Sequence, residues 1–151
     1  MPVVNLKYED LISLIGKDIE KDELVKKIPM IGVSIERVEN EEVSVEVFPN
    51  RPDLLGVEGI ARAIKSFMGI EKGLKKYEVS PPKISLKIDE SVEKVRPYIG
   101  GAIVRNVKMD EETIVSLMEM QEKLHFSVGK NRKKMAIGVH DFDKVTPPFF
   151  L

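Results

Sequence analysis

The chain is 151 residues long, carries a formal net charge of −1 and contains no cysteine. This length suffices for one domain or two small ones with an apolar core. The balanced charge excludes a global basic field that attracts nucleic acid or membranes, so any RNA contact must come from a local patch. The absence of cysteine excludes disulfides and thiol chemistry and fits a cytoplasmic protein. The sequence shows no signal-peptide pattern and no apolar run of roughly 18 residues, which predicts a soluble protein.

The first half of the chain is predicted to be a small α+β domain built from helices and a hairpin. Apolar residues recur every two positions in its expected strands and every three or four in its expected helices. The elements expected in chain order are a strand over 2–6, a helix over 8–15 that ends at Gly16, a second helix from an Asp18 cap to the residue before Pro29, and a hairpin that joins 33–35 to 43–47.

The segment Phe48–Asp53, Phe-Pro-Asn-Arg-Pro-Asp, predicts a stiff polar loop. Pro49 and Pro52 fix their own φ angles and favour extended backbone in the residues before them. Asp53 is predicted to cap a helix that Gly69 ends, because a carboxylate accepts well from the free N–H groups of a first helical turn. The apolar spacing predicts a buried stripe made of Leu54, Val57, Ile60, Ala61, Ile64, Phe67 and Met68.

A polar stretch with two consecutive prolines over 71–82 predicts a domain boundary. We therefore expect an N-terminal domain over 1–78, a linker over 79–83 and the beginning of a second, mixed α/β module over 84–151.

The elements of that second module follow from the same patterns. Strands are predicted over 84–88, 96–107 and 135–139, with a bulge or close approach at Gly100 and Gly101. Asp110 is predicted to cap a helix whose buried stripe consists of Ile114, Leu117, Met118, Gln121 and Leu124.

Lys130, Arg132, Lys133 and Lys134 form the one dense basic cluster of the sequence. Such a cluster can bind several phosphates of an RNA backbone without reading the bases, with an affinity that falls as salt rises. No aromatic residues are interleaved with it, which disfavours recognition of a single strand by base stacking. An ordinary solvated loop between a helix and a strand is the open alternative.

Asn50 and Arg51 are a second candidate for contact with RNA or a partner, because a guanidinium offers a planar fork to phosphate or carboxylate. In the structural alternative, Arg51 bonds to backbone carbonyl groups or to Asp53 and holds the turn. We favour that alternative, since a stiff loop must first satisfy its own polar groups.

His140, Asp141 and Asp143 are the best candidates for a reactive cluster. On a strand, alternation separates His140 from both acids, and a single Asp-x-Asp is a weak metal signal. We expect the acids to cap or turn the chain and His125 to complement the dipole of the helix that it ends. Two histidines without cysteine do not supply a zinc site, and no nucleophile with an activating base can be assembled. No catalytic residue and no metal site are predicted.

Four segments along the chain stand out together: Met-Pro-Val-Val-Asn-Leu over 1–6, Phe-Pro-Asn-Arg-Pro-Asp over 48–53 followed by Val-Glu-Gly-Ile-Ala-Arg over 57–62, Tyr-Ile-Gly-Gly-Ala-Ile-Val-Arg over 98–105, and Lys-Met-Ala-Ile-Gly-Val-His-Asp-Phe-Asp over 134–143. These segments resemble the β subunit of phenylalanyl-tRNA synthetase in its archaeal and eukaryotic form. The resemblance implies an N-terminal fragment of that subunit.

The resemblance also implies partners and chemistry for the whole enzyme. The α subunit ligates phenylalanine to its tRNA with ATP and magnesium (Mg²⁺), and this fragment is expected to bind neither. The implied partners are the α subunit, in an (αβ)₂ tetramer, and phenylalanine tRNA, without DNA or membrane. The second module is implied to edit mischarged tRNA, with Gly100, Gly101, His140 and Asp141 as framework and the pocket residues beyond Leu151. We expect neither aminoacylation nor editing from the fragment alone.

Two alternatives belong to other functional classes. One is a freestanding hydrolase of mischarged tRNA, which activity on tyrosyl-tRNA distinguishes. The other is a freestanding RNA- or protein-interaction module without an enzymatic role, for which charge reversal at Lys133 and Lys134 is the test.

Overall fold

The computed structural model describes residues 2–151, in which short strands alternate with helices. The helices and strands are β1 (Val3–Lys7), α1 (Tyr8–Ile15), α2 (Lys21–Lys27), β2 (Ser34–Val38), β3 (Glu42–Glu46), α3 (Val57–Phe67), β4 (Leu86–Lys87), α4 (Glu111–Phe126) and β5 (Phe149–Phe150). Short 3-10 helices cover Ile28–Ile31, Pro52–Leu54, Glu90–Val92 and Phe142–Lys144. This content confirms the predicted α+β class.

An antiparallel sheet in the order β1-β3-β2 forms the base of the core. The predicted hairpin is β2 and β3, and β1 adds to the other edge of β3, with Val4 opposite Val45 and Leu6 opposite Val43. Because side chains alternate across a strand, these four apolar residues face one side of the sheet. They belong to one buried cluster with the apolar faces of α1 and α3, from Leu11 and Ile15 to Ile60 and Ile64.

The chain divides into two compact units. The first extends to Leu74 and also contains Met109–Ile137, and the whole buried apolar core lies in it. The second contains Lys75–Lys108 and Gly138–Leu151, where β4 and β5 pair in parallel. The predicted division into 1–78, 79–83 and 84–151 stays a prediction.

Two predicted helix caps in the first unit are wrong. Asp18 does not cap α2, because that helix begins only at Lys21 and follows Glu20. Asp53 does not cap α3, which begins at Val57 after Gly56, because its carboxylate is bound by a neighbouring guanidinium. In the predicted stripe of α3, Ile60, Ala61 and Ile64 are buried, but Phe67 is 47% exposed.

Helix α4 confirms its predicted cap but not all of its buried stripe. The Asp110 carboxylate accepts from the N–H of Thr113 at 3.0 Å, whereas Ile114 and Met118 are exposed. The half-buried face also includes Thr113, Ser116 and Met120, each one or two residues from an exposed member of the predicted stripe, and Ser116 donates to a carboxylate of α3. Leu124, a predicted member of the stripe, packs against the core.

The strands predicted over 96–107 and 135–139 do not form, and only Leu86–Lys87 of the strand predicted over 84–88 does. Alternation alone makes no strand where no partner pairs with the backbone. Gly100 and Gly101 therefore do not form a bulge: both lie exposed in irregular backbone, with open space where a Cβ would be.

Candidate functional site

An internal ion pair holds the loop Phe48–Asp53, which we call the motif loop. The Arg51 guanidinium donates to both carboxylate oxygens of Asp53, from Nε to Oδ1 at 3.0 Å and from Nη2 to Oδ2 at 2.9 Å. Its Nη1 donates to the carbonyl oxygen of Ile31 at 3.1 Å. The hydrogen bonds from Arg51 lower the pKa of Asp53 below its ordinary value. These bonds match the structural alternative for Arg51, while binding of RNA or a partner by Asn50, which is exposed, and Arg51 stays a prediction.

The motif loop lies directly on helix α3 at Gly59. A Cβ built on Gly59 would lie 1.8 Å from the carbonyl oxygen of Asp53, so any larger residue collides with the loop backbone. Leu54 and Leu55, which follow the loop, are almost completely buried. The glycine in Val-Glu-Gly-Ile therefore serves the close approach of loop and helix, a reason that the sequence pattern alone does not reveal.

The basic cluster lies on a tight turn over 127–134 that follows α4, which we call the basic turn. Lys130, Asn131 and Arg132 have φ angles of 48°, 55° and 63°, in the left-handed region. Outside glycine, and with less penalty for asparagine, this conformation costs about 1–2 kcal/mol per residue. A run of three such residues persists only where the surrounding structure determines it.

Backbone hydrogen bonds to the end of α4 hold these three residues in the left-handed conformation. The N–H groups of Lys130, Asn131 and Arg132 donate to the carbonyl oxygens of Ser127, Phe126 and His125, at 3.2, 3.4 and 3.2 Å. Gly129 allows the turn to pass close to the end of α4 and to Met135. A Cβ on it would lie 2.7 Å from the carbonyl oxygen of His125 and 2.8 Å from that of Met135. The turn is a fixed platform.

Of the four predicted cations on the platform, one is paired and three are open to solvent. Arg132 donates through Nη2 to the Glu122 carboxylate, and this hydrogen bond is the main cause that lowers the pKa of Glu122. Lys130, Lys133 and Lys134 are exposed, and no residue within 2–151 forms an ion pair with them. Three lysines of the basic turn are thus exposed to solvent without an ion-pair partner among residues 2–151.

His125 is the residue of this region that sequence reasoning misjudged. Instead of simply facing the helix dipole, it is 3% exposed and accepts the N–H of Ile137 through Nε2 at 2.7 Å. A backbone N–H only donates, so the neutral imidazole carries its proton on Nδ1, which faces Glu122 Oε1 at 3.4 Å. No local pattern reveals this bond, because its partners are twelve positions apart and neither lies in a predicted turn.

Comparisons with known proteins agree with this fold and motif. A family model described as "Phe-tRNA synthetase beta subunit B1 domain" matches residues 1–70, which contain the motif loop and Gly59. The phenylalanine–tRNA ligase β subunit of Methanosarcina barkeri is 51% identical over 149 residues, which are 99% of this chain and 27% of that subunit. The corresponding protein of Archaeoglobus fulgidus is 52% identical over 148 residues, 98% of this chain and 27% of its own length.

A solved structure extends the likeness to the coordinates. An N-terminal fragment of the phenylalanyl-tRNA synthetase β subunit from Pyrococcus horikoshii matches 99% of this chain with a TM-score of 0.90 and 36% identity. The chain belongs to the phenylalanyl-tRNA synthetase β-subunit family. The predicted family is thereby confirmed, and the chain corresponds to the N-terminal region of these subunits. It covers 44% of the Pyrococcus fragment and 27% of the curated β subunits that it matches.

The editing-module framework predicted for this β-subunit family lies in the second unit. His140 is exposed, and the Asp141 carboxylate accepts the N–H of Asp143 at 3.1 Å, where it caps a 3-10 helix as expected of an acid before Lys144. Arg105 lies over the ring of Phe142, 5.6 Å from its centroid. The framework role of Gly100, Gly101, His140 and Asp141 stays a prediction.

Residues 2–151 contain no group of three or more His, Cys, Asp or Glu side chains that could hold a metal ion. Across the same residues, no helix has the length and apolar character that crossing a membrane requires.

Proposed function

We propose that this N-terminal region contributes tRNA binding to a phenylalanine–tRNA ligase, through phosphate contacts of Lys130, Lys133 and Lys134. The observation that carries the proposal is the display of three unpaired ammonium groups on a fixed turn. A net charge of −1 supplies no long-range attraction, so the local cluster must supply it. Ammonium groups bind phosphate as point charges without reading sequence, which suits contact with the backbone of a folded RNA.

The experiment compares two double charge reversals in the 151-residue chain. Lys133→Glu with Lys134→Glu alters the basic turn, and Lys17→Glu with Lys26→Glu makes the same charge change at exposed lysines elsewhere in the first unit. Binding of phenylalanine tRNA is measured between low and physiological salt. We expect the turn variant to bind about 10- to 100-fold more weakly and its salt dependence to fall by about two phosphate contacts. Equal losses in both variants would refute the assignment to the turn.

The name of the relatives supports a wider role, because a β subunit assembles with another subunit. We propose that the whole protein joins a synthetase α subunit in an (αβ)₂ tetramer, in the cytoplasm, where phenylalanine is ligated to tRNA with ATP and magnesium. ATP and magnesium belong to this proposal for the whole enzyme. No step of the ligation is assigned to the residues described here.

Co-purification with an α subunit tests the assembly. If this chain and a full-length β subunit both bind α, the N-terminal region takes part in assembly, and Asn50 and Arg51 become interface residues to mutate. If only the full-length subunit binds, the region acts in tRNA contact or in framing an editing pocket. Hydrolysis of tyrosyl-tRNA by this chain alone, which we do not expect, would favour the freestanding hydrolase.

A further inference from the structure

His125, in helix α4, binds the basic turn and also the chain that follows the turn. Its backbone carbonyl accepts the N–H of Arg132 at 3.2 Å, and its imidazole accepts the N–H of Ile137 at 2.7 Å. The first bond fixes the left-handed stretch, and the second fixes the chain beyond the last lysine of the cluster. Ser44 and His125 are the buried polar residues among the described positions, so the bond from Ile137 to the imidazole is shielded from most of the solvent.

The chemistry of this contact requires an acceptor at one position. The Ile137 N–H is a donor, so the side chain opposite it must offer an acceptor. A buried N–H without an acceptor destabilises the backbone that carries it. The Nδ1 side of the ring faces Glu122, which also binds Arg132, so one carboxylate orients the imidazole and a side chain of the turn. The ring, the carboxylate and the guanidinium form one connected network beneath the lysines.

We propose that His125 is a positioning residue for RNA binding, which holds the turn so that Lys130, Lys133 and Lys134 reach neighbouring phosphates together. This inference rests on the proposed function of the basic turn and adds to it the residue through which the lysines act. His125 itself does not touch the RNA, since it is 3% exposed. Its contribution is the acceptor nitrogen.

The acceptor can be removed or restored at nearly constant size. His125→Gln places an amide oxygen near the position of Nε2, whereas His125→Leu fills the site without an acceptor. Three quantities are measured for each variant of the 151-residue chain. They are the affinity for phenylalanine tRNA with its salt dependence, the hydrogen exchange of the Ile137 amide, and the melting temperature.

We expect the leucine variant to bind tRNA about tenfold more weakly, with a flatter salt dependence, because fewer lysines engage phosphates at once. Its Ile137 amide should exchange faster, and glutamine should restore both properties to within about threefold of the original protein. Wild-type binding by the leucine variant, or binding by the glutamine variant as weak as that of leucine, would overturn the positioning role. If leucine prevents folding, His125→Asn, whose amide is too short to reach Ile137, replaces it under the same criteria.

Failure of the proposed function gives a different pattern. In that case the Lys133 and Lys134 reversal leaves binding at the level of its control, and the two inferences fall together. If the reversal weakens binding but the His125 series does not move it, the lysines bind RNA and only the role of His125 is refuted.

Discussion

The motif loop and the basic turn are both rich in polar residues, but they use their charged groups in opposite ways. In the loop, the Arg51 guanidinium donates to Asp53 and to a backbone carbonyl, so all three of its nitrogen atoms bond to groups of the protein itself. In the turn, Arg132 is the one cation of the cluster that pairs with Glu122, and Lys130, Lys133 and Lys134 remain in solvent on a backbone that hydrogen bonds to α4 hold in place. The polar residues of the motif loop are explained by bonds and packing within the protein. The lysines of the basic turn have no ion-pair partner within the protein, which is why we propose a ligand for the turn and not for the loop.

Gly59→Ala should break the loop side of this comparison with the largest effect. The new Cβ collides with the Asp53 carbonyl oxygen, so we expect a loss of about 3 kcal/mol in the free energy of unfolding. Alanine favours a helix by about 1 kcal/mol over glycine, which makes a net loss diagnostic of the collision. Urea denaturation measures it, and Gly100→Ala, at a position with open space, is the matched control. Similar stability of the two variants would contradict the close approach.

Lys130 tests the strain on the turn side. At its φ of 48°, the Lys130→Gly variant should be about 1 kcal/mol more stable than Lys130→Ala, because only alanine has a Cβ that opposes this conformation. Both variants lose the same charge. The order should reverse at Lys134, which is not among the residues with positive φ, and thermal unfolding of the four variants provides the comparison. The same order at both positions would argue against a strained turn.

Glu122→Gln should sharpen the contrast by removing a negative charge beside the basic turn, on the carboxylate that faces both Arg132 and His125. Because that carboxylate no longer repels phosphate, we expect tRNA to bind about threefold more tightly. Glu119→Gln is the control, because it removes the same charge from α4 at a carboxylate that pairs with Lys123 instead. If both variants gain equally, the overall charge rather than the place of Glu122 explains the gain.

The Arg51–Asp53 pair gives the smallest effect, one that depends on pH. Because folding lowers the pKa of Asp53, the pair stabilises the fold above the ordinary aspartate pKa of about 3.9 and ceases to do so as the pH falls through the lower, folded value. Both side chains are partly exposed, so Asp53→Asn should cost only about 0.5 kcal/mol at pH 7. The difference from the original protein should shrink as the pH falls below the ordinary aspartate pKa, and a difference that stays constant throughout the acid range would contradict the linkage.

The sequence predicted those features that local chemistry determines. Helix α1, the β2–β3 hairpin and the Asp110 cap form as expected, because alternation, glycine and a carboxylate at a helix start act over a few residues. The errors arise where a distant group decides. Asp53 is taken by Arg51, and the half-buried face of α4 includes residues that lie beside the predicted stripe. The basic cluster is visible in the sequence, but its left-handed backbone and the His125 bond depend on contacts that no short pattern records.

The presence of α4 in the first unit has a consequence for synthesis of the protein. Residues 1–74 are made before 109–137, so the first unit is completed only after residues 75–108 of the second unit have been made. Until then its core lacks the contact that Leu124 supplies. A version that consists of 1–78 alone never gains that contact, so we expect it to be less stable than a version that retains α4.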